Sequence, residues 1–208
     1  MGNWLNWPAG SGRKLRNLVA ATLAAAFLLD GSAVAGVTSA TATRFYSVGG
    51  TTQSSLAAKM RANPFRGDRG GAVANIRPRY SLSVATKQDG GTCRVSSVNL
   101  RVSFVLTLPR AKEAAMSSGT RSAWRGFVSF ARRHEQGHRS IYMQCAHNFT
   151  VKAQRLSGSS CGGLQSQARR LLDAENRACD KRHAAYDRSE RRRVSGLALF
   201  RNTRTAKR

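Results

Sequence analysis

Thr120-Arg121-Ser122-Ala123-Trp124-Arg125-Gly126-Phe127-Val128-Ser129-Phe130-Ala131-Arg132-Arg133-His134-Glu135-Gln136-Gly137-His138-Arg139-Ser140-Ile141-Tyr142-Met143-Gln144-Cys145 sets its large apolar side chains at steps of three and four. Trp124, Phe127, Val128, Ala131, Ile141, Tyr142 and Cys145 therefore share one side of a helix, and His134, Glu135 and His138 fall within the same stripe. Arg132, Arg133, Gln136 and Arg139 take the other side. The stretch predicts a long amphipathic helix whose inward face holds two imidazoles and a carboxylate. Such groups are costly against a core unless paired or bound to a cation. Gly137 in mid-helix costs about 1 kcal/mol relative to alanine, so a close neighbouring backbone is expected there.

Working outward, Cys161-Gly162-Gly163 reads as a break. A second helix then runs from about Leu164 through Leu171, Leu172, Glu175, Ala178 and Cys179 to His183, Tyr186 and Asp187. Toward the N-terminus the period changes to two. Ile76, Pro78, Tyr80, Leu82 and Val84 alternate up to Ala85, and Gln88-Asp89-Gly90-Gly91 is a hairpin turn. Cys93 to Leu108 alternates again, with a break at Ser96-Ser97 that suggests a bulge and Pro109 as its stop. Arg44 to Val48 is a shorter strand ended by Gly49-Gly50. Thr51 or Thr52 caps a short helix carrying Leu56, Ala57 and Met60, closed by Asn63-Pro64, and a glycine-rich loop (Gly67, Gly70, Gly71) follows. Strands followed by helices make this an α+β fold: a small N-terminal antiparallel sheet, then two long helices.

The N-terminus has the marks of a leader. Arg13, Lys14 and Arg16 precede the apolar run Leu18 to Leu29, and Ala33-Val34-Ala35 offers a small-residue cleavage site. The run is shorter than the roughly 20 residues needed to span a bilayer. We expect a signal peptide over residues 1–35, a flexible Ser/Thr/Ala-rich lead-in over 36–43, the main domain over 44–190 and a basic C-terminal tail over 191–208. Four cysteines without a Cys-x-x-Cys pair fit two disulfides in an exported chain rather than a zinc ribbon. Of three possible pairings, the short loop favours Cys145–Cys161, leaving Cys93–Cys179.

Thirty-five basic against 10 acidic residues give a formal charge of +25, or near +23 without the leader. Such a field favours anionic surroundings, among them cell-envelope polymers and lipid headgroups. The basic residues are dispersed and no recognised nucleic-acid motif is present, so no dedicated nucleic-acid site is expected.

His134 and His138, one turn apart, have the spacing to bind one Zn²⁺ at about 2.0–2.1 Å each. Glu135 sits beside them without having to ligate, the position of a general base that takes a proton from water and passes it to a leaving amine. A catalytic zinc needs a third protein ligand. Asp187, Glu190, His183 and His147 are the candidates; His183, Asp187 and Glu190 share a face, whereas His147 lies about half a turn away and reads as surface. Tyr186 is a packing residue or a donor to a developing oxyanion.

These features together resemble a bacterial family of predicted secreted Zn-dependent proteases, catalogued mainly as a domain of unknown function. The likeness spans about Phe45 to Asp187. It is carried by Tyr46-Ser47-Val48-Gly49-Gly50-Thr51-Thr52 with Leu56 and Met60, Arg79-Tyr80-Ser81-Leu82, the strand from Cys93 to Leu108-Pro109, Trp124 and Phe127, His134-Glu135-Gln136-Gly137-His138, Cys161, Leu164 and Tyr186-Asp187. The resemblance implies a zincin-like active-site helix and points to Asp187 as third ligand, completing a chemically sound His₂-carboxylate set; an orienting partner of a ligating histidine is the other role for it. The chain departs from the family after Tyr186-Asp187, where Arg192 stands in place of a histidine.

The expected function is an exported (periplasmic or secreted) zinc metallopeptidase that hydrolyses peptide bonds of a protein or peptide substrate. Zn²⁺ is its cofactor, held by His134, His138 and Asp187, with Glu135 catalytic. The alternative is a weakly active or inactive relative that binds an anionic envelope component. A zinc deaminase is disfavoured by the lack of a Pro-Cys-x-x-Cys element.

Overall fold

A computed structural model of the protein describes residues 36–63, 65–67 and 70–205. The proposed leader, Pro64 and the terminal Lys207-Arg208 lie outside the described residues, which belong to one unit. Along the chain come β1 (Gly36–Ser47), α1 (Gln53–Ala62), β2 (Phe65–Gly67), β3 (Gly70–Ala72), β4 (Asn75–Asp89), β5 (Thr92–Arg110), α2 (Ser118–Ala153), β6 (Ser157–Gly158), α3 (Cys161–Gly196) and α4 (Ala198–Thr205). The α+β order read from the sequence, strands first and long helices after, is the order of the fold.

The two period-two stretches form the β4–β5 hairpin, with Asp89 opposite Thr92. Gly90 and Gly91 turn it at φ 52° and 84°, both in the left-handed region that a tight hairpin turn demands. Ala85 pairs with Ser97 but Thr86 pairs with Val95, so Ser96 is the extra residue of a bulge. The bulge has a purpose in packing. Cys93 and Val95 are odd-numbered, Val98 to Leu108 even-numbered, and without one inserted residue the two sets would face opposite sides. With it, all of them are buried on the face that meets the helices. Pro109 does not end β5, which continues to Arg110; β4 pairs only as far as Thr107, so no hydrogen bond toward that neighbour is lost.

The stretch expected as a flexible lead-in is most of β1, which pairs in parallel with β5 from Gly36↔Asn99 to Ser47↔Arg110. The sheet is therefore mixed, ordered β1-β5-β4, with α1, the small β2–β3 hairpin and β4 forming the crossover that parallel neighbours require. As an edge strand exposed along most of its length, β1 shows no apolar alternation for the sequence to reveal. Its threonines and Val37 suit a strand nonetheless. The glycine-rich loop likewise proves to be the β2–β3 hairpin.

α1 begins with a capping box between Thr52 and Ser55, and α2 with the Ser117 side chain accepting from the Thr120 amide at 3.2 Å. From its middle onward α2 lays Ala131, Ala146, Phe149 and Ala153 on the β5 face, joined by Leu164 and Leu172 of α3. Its N-terminal half packs Trp124 and Phe127 into a second cluster with Val48, Leu56, Met60, Met116 and Leu199. Leu199 corrects the reading of residues 191–208 as a tail. α3 continues to Gly196, and α4 buries Leu199 fully and sets Phe200 edge-on to Phe127 at 5.4 Å.

The break between the long helices falls at Gln154–Ser160, not at the glycines, because β6 there pairs with the start of β5 and Cys161 already opens α3. That placement decides the disulfides. They are Cys93–Cys161 and Cys145–Cys179, not the pairing that short loop length favours. α2 runs two turns beyond Cys145, carrying the chain away before it returns, so Cys161 meets the start of β5 while Cys145 meets the middle of α3. Among the described residues no helix is long and apolar enough to cross a membrane.

Candidate metal centre

Three links between α2 and α3, Cys145 to Cys179, His138 to His183 and His134 to Asp187, descend one helix while climbing the other, so the helices are antiparallel. This registers a half-buried His134, a buried His138 and Asp187 at one level. His138 Nε2 lies 3.2 Å from His134 Nε2 and 2.8 Å from Asp187 Oδ1, and His134 Nε2 lies 3.3 Å from the same oxygen. Three lone-pair atoms thus form a nearly equilateral triangle, and they are the one group of three among the described residues with the spacing to hold a metal ion. Hydrogen bonds alone serve this arrangement poorly, since two imidazoles that both donate to the Asp187 oxygen would turn two Nε2–H groups toward each other across 3.2 Å. A tetrahedral zinc with bonds of about 2.0–2.1 Å has ligand–ligand edges of about 3.3 Å, close to the sides of this triangle. The donor set fits zinc.

The surroundings fix the two rings by different means. His138 places its Nδ1 at 2.8 Å from Nδ1 of His183, which is fully buried. With His138 Nε2 used as a lone pair, its Nδ1–H donates to His183, and the His183 Nε2–H then points at Cys179 Sγ, 3.8 Å away. His134 Nδ1 is buried with no hydrogen-bond partner. Stacking holds that ring instead, between Phe130 at 6.1 Å and Tyr186 at 5.0 Å, with interplanar angles of 18° and 17°. Burial lowers the His134 pKa against the upward pull of Asp187 and Glu190, favouring the neutral form that can ligate.

Glu135 is buried against the sheet, only 6% exposed, where its carboxylate accepts from the backbone amide of Ile76 in β4. Loss of hydration is the main cause that lifts its pKa to about 7; Asp187 adds to the rise and the Ile76 bond opposes it. Tyr186 crosses from α3 onto α2. A Cβ at Gly137 would collide with its ring and hydroxyl, so the glycine makes room for a side chain of the opposite helix rather than for a backbone. Burial chiefly, then Glu190 and Glu135, raise the Tyr186 pKa and keep the phenol a donor.

The residues expected at the site come together: His134, His138 and Asp187 converge, with Glu135 buried beside them. The other ligand candidates do not. His183 stands behind His138, Glu190 is buried and paired with Arg193 at 2.9 Å, and His147 is exposed as expected. Arg192 is exposed. Sequence reasoning missed His183 as the partner of His138 and Phe130 as the stacking partner of His134. The signal for His183 was its place four residues from both Cys179 and Asp187.

Residues 43–195 match the profile of the family described as Bacterial protein of unknown function (DUF922); the match covers more than half of the chain, which belongs to that family. No curated protein and no solved structure matches the chain.

Proposed function

We propose that this DUF922 chain is an exported zinc metallopeptidase, with zinc held by His134, His138 and Asp187. The observation that carries the reading is the triangle of donor atoms, 2.8 to 3.3 Å on a side, between the two long helices. Zinc there supplies Lewis acidity and brings the pKa of water toward about 7. Glu135 follows His134 directly, and its pKa of about 7 suits a group that takes a proton from the attacking water and returns it to the leaving amine. Tyr186, held protonated, donates to the developing oxyanion. Asp187 and His134 are the exposed side of the site, with side-chain exposures of 40% and 19%, and substrate enters past them. Peptide hydrolysis is preferred over other hydrolyses because the His-Glu-x-x-His spacing most often serves it. The leader and two disulfides support a periplasmic or secreted location.

Metal analysis of the purified protein with a quenched peptide-library assay tests this. One zinc per chain is expected, with peptidase activity that falls at least about 100-fold in Glu135→Gln while zinc is retained. Asp187→Ala is expected to lose both. A protein that takes up no zinc at neutral pH overturns the proposal.

A further inference from the structure

The side of α2 turned away from the metal centre forms part of a second concavity. Arg125 and Arg132 precede His134 by nine and two residues, which puts them about 180° and 160° around the helix from it. With the ends of β1 and β5 they border a cavity of about 530 Å³, a size usual for small-molecule sites. Its apolar wall includes the buried Trp124 and the ring of Phe45, which is 49% exposed and so unusual for a large apolar side chain here. Arg110 lies over that ring at 5.0 Å from its centroid. Arg125 pairs with Glu113 at 2.7 Å. Three guanidinium groups against one carboxylate leave the lining with two uncompensated positive charges.

We propose that this cavity binds a small phosphate monoester that carries an apolar or aromatic group. A phosphate monoester bears about −1.5 to −2 charge near pH 7, which balances the lining where a single carboxylate would leave it positive. Guanidinium forks match phosphate oxygens in bidentate geometry. The ester's apolar part lies against Phe45, whose half-exposed ring otherwise leaves an aromatic face in water. The cavity is separate from the metal centre and does not depend on zinc being there.

Isothermal titration of the full chain with phenyl phosphate and with inorganic phosphate, at about 0.15 M ionic strength to screen long-range attraction, tests the site. Phenyl phosphate is expected to bind at least about fivefold tighter than inorganic phosphate, a preference that Phe45→Ala erases. Arg110→Glu with Arg132→Glu should weaken it at least about tenfold, whereas Arg94→Glu with Arg169→Glu, the same charge change at exposed positions elsewhere, stays within about twofold. Asp187→Ala should leave binding unchanged. Equal losses in the two double variants mean that only net charge is read, and overturn the proposal. So does inorganic phosphate binding as tightly as phenyl phosphate, or loss of binding in Asp187→Ala.

Discussion

Gly137 shows how one residue can report a neighbour 49 positions away. In an isolated helix, alanine in its place would gain about 1 kcal/mol. Here its Cβ meets Tyr186, so Gly137→Ala is expected to destabilise by about 1–3 kcal/mol in chemical denaturation, and to become neutral or favourable in a Tyr186→Ala background. Glu135 offers a test by pH. In chelator-treated protein its pKa is raised from 4.5 to about 7, so the folded state holds the proton more tightly than the unfolded one. The stability that Glu135 contributes is therefore fully present below about 4.5 and is lost as pH rises through 7. Denaturation midpoints should show Glu135→Gln more stable than the parent at pH 8, by something on the order of a few kcal/mol, with the difference gone at pH 4. His183→Ala is expected to lower zinc affinity about 10- to 100-fold by competition with a chelating dye. At this scale the site was largely legible, because the helical period alone puts His134, Glu135 and His138 on a buried face. Asp187 needed more, since nothing local separates it from Glu190 or His183. The registration of α3 separates them in space: it sets Asp187 level with both rings and leaves Glu190 to Arg193.

Elements were read with uneven success, and the failures share a cause. The helices, the β4–β5 hairpin and its bulge reveal themselves by which positions they bury. β1 buries little, so its composition mimics a linker, and only the exposed edge of β5 makes it a strand. α4 is short and follows a run of arginines, yet Leu199 and Phe200 anchor it in the second cluster. Disulfide pairing depends on where elements end in space, which loop length does not encode. The Cys145–Cys179 bond closes 34 residues and clamps α2 to α3 beside His183. Replacing both cysteines by serine is expected to cost about 4 kcal/mol on chain-entropy grounds and to weaken zinc binding in the same titration, because the clamp sets the level of Asp187. Replacing Cys93 and Cys161, which join β5 to the start of α3, should lower stability by a similar amount and leave zinc affinity close to the parent's.

For the molecule as a whole, composition bears on net charge and says little of chemistry. A charge of +25 describes a chain suited to anionic partners, while the candidate metal ligands lie between two helices that carry 15 of its 35 basic residues. Zinc bound by both helices should act on global stability, with thermal midpoints falling on chelation and recovering on zinc addition; at free metal about 1,000 times the dissociation constant the gain is about 4 kcal/mol. The two disulfides are crossed: the first cysteine joins the third and the second joins the fourth. Chains are synthesised from the N-terminus, so Cys93 first encounters Cys145, the wrong sulfur, and its true partner follows 68 residues behind it. Oxidation in order of appearance traps that error, and a free thiolate must then undo it by exchange. Biogenesis of this protein therefore calls for an isomerase as well as an oxidant. Reduced chain refolded with oxidant alone should yield scrambled pairings, and a glutathione couple should convert them to one.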